Sequence, residues 1–173
     1  VETEKSSRLV WLFGLDEIYG HGSLSPREQI KTAKGGWSKG RKIALKRLYY
    51  ETSTFDFLTA QDEMACGCIE EERFVWRGYP ELSYHFNSRA LKTLAGHPLV
   101  FSEDSPGVRM EIVTGRPELL INSRENGKFS ISFSHNVNVE RDVQVVRESP
   151  TRIKVIETND DVLRIAKIIG KGL

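Results

Sequence analysis

Between Leu99 and Glu157, roughly a third of the chain, short runs of alternating apolar and polar residues are separated by turn signals, the mark of consecutive β-strands with one packed face and one wet face. Val108, Met110 and Ile112 alternate with Arg109 and Glu111. Leu119 and Ile121 lead into Glu125-Asn126-Gly127, after which Phe129, Ile131 and Phe133 alternate with serines. A two-residue Asn126-Gly127 turn would set Ile121 opposite Ser132 and mix apolar with polar side chains. A three-residue loop, Glu125 to Gly127 with Gly127 left-handed, pairs Ile121 with Ile131 and Leu119 with Phe133, and so gathers one apolar face. Val143, Val145 and Val146 then precede a turn at Ser149-Pro150, and Ile153, Val155 and Ile156 follow it. The expected fold class is α+β, an antiparallel β-meander of about five to seven strands carrying two to four short helices.

At 173 residues the chain is long enough to bury a core and short enough to be one domain. Residues 1–58 would hold an N-terminal strand and a basic Gly/Trp loop, and residues 59–173 a helix-capped antiparallel sheet packed with the first part. No apolar run is long enough to span a bilayer and no signal-peptide pattern is present, so no membrane partner is expected. Val1 in place of methionine, and the ending Gly170-Lys171-Gly172-Leu173 after an apolar helix, suggest a piece cut from a longer chain. Cys66 and Cys68 are the only cysteines. One residue between them suits neither a zinc ribbon nor a secreted disulfide framework, and a cytoplasmic setting fits them.

The near-balanced charge, 25 Lys and Arg against 24 Asp and Glu, hides an asymmetry. Between Arg27 and Arg47, eight cations face the single acid Glu28, a net +7 that leaves −6 for the rest. At its centre lies Gly35-Gly36-Trp37-Ser38-Lys39-Gly40-Arg41-Lys42. A P-loop would need Lys-Ser/Thr after the second glycine, so ATP binding is rejected here. Glycines let a backbone approach another molecule closely, Lys39, Arg41, Lys42, Lys46, Arg47 and the Ser38 hydroxyl could bind phosphates, and Trp37, with Tyr49 or Tyr50, could stack on a base. The competing expectation is a solvated basic face, or a loop docked on an acidic surface of its own polypeptide with Trp37 packed as core.

Elsewhere the pattern is structural. Leu9 to Phe13 suits a buried strand ended by Gly14, and Gly20, Gly22, Ser23, Ser25 and Pro26 argue for a loop that holds His21. Ile43 to Leu48 reads as helix or strand. Thr59 is an expected N-cap with Asp62 at N3, starting a helix whose stripe is Ala60, Met64, Ala65, Cys68 and Ile69 and whose solvated end is Glu70-Glu71-Glu72. Phe74 to Trp76 and Glu81 to Phe86 read as extended. Asn87 caps a short helix stopped by Gly96 and Pro98, where His97 would complement the last carbonyls, and Asn159 opens a final helix. His85 and His135 have no ligands at metal spacing in the sequence. No catalytic residue, metal site or cofactor is expected.

Two stretches carry a resemblance. Gly35 to Arg41 with Ala44 to Leu48 and Leu58 to Asp62, then Leu94 to Phe101 with Gly115 to Leu119 and Val145 to Arg152, look like the region upstream of the motor in large bacterial SWI/SNF-type helicase-like ATPases. The resemblance spans most of the chain. Those ATPases carry a P-loop lysine, an acidic Asp-Glu motif and arginine fingers, none of which has a counterpart here. What the resemblance implies is a non-catalytic accessory domain whose partner is nucleic acid, DNA first, or the ATPase module of the same polypeptide. An interaction domain docking on the motor or a partner protein is the alternative. A third is a metal-dependent nuclease using Asp104, Glu111 or Glu118.

Overall fold

The computed structural model describes residues 5–18, 21–135 and 142–170. Its centre is β1 (Ser7–Asp16), in which Leu9 to Phe13 are all buried. Consecutive buried residues mean that both faces of the strand are covered. β2 (His21–Ile30) pairs antiparallel along all of β1, a two-residue β3 (Arg41–Lys42) adds to the outer edge of β2, and β6 (Val100–Ser102) lies parallel to β1.

β2 replaces the loop expected around Gly22, Ser25 and Pro26. Trp11 donates its N–H to Leu99, so in its pairing with Pro26 the ladder bonds of both residues point away from each other. Proline's missing N–H therefore costs the β1–β2 ladder nothing, while its carbonyl accepts from Ile43. Gly22 is there because a Cβ would sit 2.4 Å from the Phe13 ring. Gly14 does not end β1 either, since the strand runs on to Asp16.

After α1 (Leu45–Tyr50) and a 3₁₀ turn at Thr52–Thr54 comes α2 (Ala60–Cys66), opened by the expected Thr59 cap. Asp62 N donates to Thr59 Oγ1 and Thr59 N to Asp62 Oδ2, a complete capping box. The helix stops earlier than its apolar stripe suggested. Gly67 closes it, Cys68 packs in the turn, Met64 is exposed, and Ile69 starts β4 (Ile69–Trp76). Glu70, Glu71 and Glu72 are thus strand residues rather than a helix end. β4 pairs with β5 (Tyr79–Phe86) through a tight turn in which Arg77 and Gly78 both have positive φ, the geometry that suits a two-residue hairpin.

α3 (Ala90–Thr93) buries Ala90 and Leu91, and Gly96 follows it in the left-handed region at φ 74°. β7 (Glu111–Gly115) lies parallel to β11 (Arg152–Glu157), which pairs antiparallel with β10 (Val143–Ser149). β8 (Leu119–Ser123) and β9 (Phe129–Phe133) form a separate hairpin in the expected register, Ile121 opposite Ile131 and Leu119 opposite Phe133, with Gly127 at φ 69°. The α+β class is as read from the sequence, but the described residues hold 11 strands and four sheets. Alternation specifies strands and hairpins; it does not specify which free edges meet, and here β7 and β6 each cross to a parallel partner. α4 (Asp160–Gly170) is capped by Asn159, whose Oδ1 accepts from Val162 N.

One core joins Leu9, Trp11 and Phe13 to Leu48, Phe55, Phe57, Ala65, Leu94, Met110, Ile112, Ile153 and Val155. Two apolar surfaces stay outside it. Contrary to the packed face expected of β8–β9, Ile121 and Phe129 are 66% and 65% exposed. The tip of β4–β5 shows Phe74, Trp76 and Tyr79 on one face, with Val75 and Leu82 on the other. No helix among the described residues is long and apolar enough to cross a membrane.

Candidate nucleic-acid interface

The glycine-rich loop is tied down rather than loose. Thr32 N donates to the Gly36 carbonyl and Gly35 N to that of Thr32, with Gly35 at φ 84°. Ser38 N donates to the Ile30 carbonyl, and Ser38 Oγ accepts from Ile30 N at 3.0 Å. That hydroxyl is therefore committed to the turn instead of to a phosphate. Trp37 bridges to Lys31, is half-buried, and has the Arg8 guanidinium 4.2 Å from its ring centre. Arg8 in turn donates Nε to Gln29. One face of Trp37 is thereby taken by a cation–π contact.

The cations separate into two groups. Lys39, Arg41, Lys42 and Lys46 are exposed, and among the described residues no ion pair is found for Lys39, Arg41 or Lys42. Arg41 stands opposite Glu28 and, through it, Leu9; Lys42 stands opposite Arg27 and Val10. Neighbours in a strand point to opposite faces, so these two flank the sheet edge from both sides. Arg47 is exposed too, but it has partners within the fold, 3.5 Å from Glu51 and over the Phe55 ring.

Lys46 begins a different constellation. The element left untyped in the sequence is the helix α1, and positions 46, 49 and 50 share one of its faces. Tyr49 and Tyr50 meet edge to face at 4.8 Å, and Tyr84 of β5 lies 5.6 Å and 6.1 Å from them. The Tyr50 and Tyr84 hydroxyls both donate to Glu71 Oε2. Those bonds, Tyr50's first, hold the Glu71 carboxyl below its usual range, helped by Arg73 and Lys46. Tyr84 and Glu71 escaped the sequence reading because they come from the β4–β5 pairing. The strand alternation of 69–76 against 79–86 would have been the signal.

The histidines do not form a reaction site. His97 is buried; Leu99 N donates to its Nδ1 at 3.0 Å, which places the ring proton on Nε2, donated to Asp62 Oδ1 at 2.7 Å. The same oxygen accepts from Trp11 Nε1 at 2.9 Å. His97 thus locks the core instead of complementing helix carbonyls, and neither ring nitrogen is left for proton transfer. Burial pushes the Asp62 carboxyl up, but the His97, Trp11 and Thr59 bonds outweigh it and the net shift is downward. His85 sits across from Glu70, with Glu72 also near, at 3.6 Å and 3.9 Å, and His21 opens β2 opposite Asp16.

The three carboxylates considered for a nuclease are scattered. Glu111 lies 3.9 Å from Arg152, Glu118 3.5 Å from Lys154, and Asp104 borders a separate hollow with Asp16 and Glu103. Among the described residues no group of three His, Cys, Asp or Glu could hold a metal ion. Comparison with family models, curated proteins and solved structures finds no match for this chain.

Proposed function

We propose that this chain is a non-catalytic accessory domain of a bacterial SWI/SNF-type DNA-dependent ATPase, working in the cytoplasm, and that it contacts nucleic acid through its basic segment. The observation that carries the contact is the set Lys39, just before β3, and Arg41 and Lys42 within it, all exposed and without ion-pair partners among the described residues. Cations left unpaired on a sheet edge are free to replace the counterions of a phosphate backbone. Lys46 extends the set along α1, whereas Trp37, capped on one face by Arg8, and Arg47, exposed but paired with Glu51, take a lesser part. The link to a motor rests on the resemblance of Gly35 to Arg41, Leu94 to Phe101 and Val145 to Arg152.

Charge reversal tests it. Lys39→Glu, Arg41→Glu and Lys42→Glu together are expected to abolish binding of a labelled duplex or single strand while leaving the unfolding midpoint in place. Unchanged affinity would remove the basic segment as the contact.

A second reading, docking on the motor or another protein, is favoured by the uncovered β8–β9 face and β4–β5 tip. Apolar patches of that kind mark protein contacts more often than bare surface. It predicts no affinity for nucleic acid, and association with the remainder of the parent polypeptide that is lost when Ile121 and Phe129 become polar.

A further inference from the structure

Unpaired strands are held by cations that take the phosphates and by rings on which bases stack, and stacking tolerates any sequence because every base has a π-face. In a duplex those faces are already covered. α1 and the β4–β5 hairpin together supply such a combination. Tyr49 and Tyr50 are 41% and 58% exposed, although each lies against another ring. Glu71 accepts from both Tyr50 and Tyr84 and anchors the hydroxyl ends of those two rings, and Tyr49 lies against both of them. Two cations stand beside the cluster. Lys46 lies one turn before the tyrosines on α1, and Arg73, exposed, shares the Glu71 face of β4 two residues on. Both lie near enough to Glu71 to favour its charged form, so the carboxylate that orients the rings is also balanced against repelling a phosphate. Tyr49 further borders a hollow of about 450 Å³ whose wall mixes Leu48, Cys66 and Ile69 with Thr52, Ser53 and Glu63.

We infer that the Tyr49, Tyr50 and Tyr84 cluster is a base-stacking platform for single-stranded nucleic acid, flanked by Lys46 and Arg73. The inference rests on the nucleic-acid reading above and moves its aromatic component from Trp37, whose ring is capped by Arg8, to the tyrosines. Stacking and phosphate neutralisation then fall on different residues, and a strand would run from the β3 edge across α1 toward the β4–β5 hairpin.

The test is fluorescence anisotropy of a labelled oligothymidylate, an oligouridylate and a blunt duplex at low salt, with the wild-type chain, the double variant Tyr49→Ala/Tyr50→Ala and the double variant Tyr49→Phe/Tyr50→Phe. The platform predicts that single strands bind more tightly than duplex. The alanine pair should lose roughly tenfold or more in single-strand affinity, and the phenylalanine pair should keep most of it. A strand carrying 2-aminopurine gives a readout that needs no variant, because a base that leaves its neighbours to stack on a tyrosine changes its emission. Unchanged emission on binding, equal binding by the alanine pair, or a preference for duplex would overturn the platform. Duplex binding that disappears on charge reversal at Lys39, Arg41 and Lys42 would overturn the platform alone. No binding of any nucleic acid would overturn the contact reading with it.

Discussion

Removing Asp62 should be the most damaging single polar substitution in the core. Its carboxylate accepts from Thr59 N, Trp11 Nε1 and His97 Nε2, and is 1% exposed. Asp62→Ala deletes the N3 half of a capping box, worth about 1 kcal/mol. It also strands two buried donors, each costing roughly 1–3 kcal/mol. His97 cannot escape by changing tautomer, since Nδ1 is occupied by the Leu99 N–H. The expected loss is about 3–7 kcal/mol, a large part of what a domain of this size has. Urea unfolding followed by tryptophan fluorescence measures it as a fall in midpoint at unchanged slope. Asp62→Asn should cost less, because one oxygen remains for Trp11 and His97. The acid limb gives the sign. A carboxyl held low in the fold adds stability above its unfolded value, about 3.9, and loses it as pH falls through the lower folded value. The gap between wild type and Asp62→Asn should therefore close below about pH 4. A loss under about 1 kcal/mol for Asp62→Ala, or a gap that persists at low pH, would mean that the buried carboxylate does not hold Trp11 and His97 in place.

Three further outcomes follow from single sites. Burial, with Asp62 and Glu63 adding to it, pushes the Cys66 thiol up to about 12, so iodoacetamide at pH 8 should label it only as fast as urea unfolds the chain; rapid native labelling would contradict that burial. Gly22→Ala should cost about 1–3 kcal/mol by driving a methyl into the Phe13 ring and Leu91, read as a lower unfolding midpoint, and a neutral effect would show that β2 shifts freely. Ile121→Thr with Phe129→Thr should change stability by no more than about 0.5 kcal/mol while reducing binding of an apolar dye, because both side chains are open to solvent; a large destabilisation would mean that the β8–β9 face is packed.

Local features were the legible ones. The β8–β9 register follows from period two plus a left-handed glycine, and the Thr59 cap from residue types three apart. Breakers misled around Gly22 and Pro26, where a long buried partner strand outweighs propensity and the proline nitrogen faces away from it. The stripe through Cys68 and Ile69 misled because Gly67 ends α2 and β-pairing captures the glutamates. The Trp11–Asp62–His97 network joins residues 35 and 51 positions apart, and no local pattern marks it. In the candidate site the exposed lysines were visible as a charge run. The capping of Trp37 by Arg8, and the gathering of Tyr84 and Glu71 against α1, depend on pairings that become definite only when the sheets assemble.

The salt dependence of binding tests the nucleic-acid contact most directly. If Lys39, Arg41, Lys42 and Lys46 each replace a counterion, the logarithm of affinity for a single strand should fall against the logarithm of salt with a slope of about −3. Neutralising Arg41 and Lys42 to glutamine, a milder change than the triple reversal, should bring that slope to about −1.5. A shallow slope in the wild type, or a steep one that survives the neutralisation, would contradict the contact.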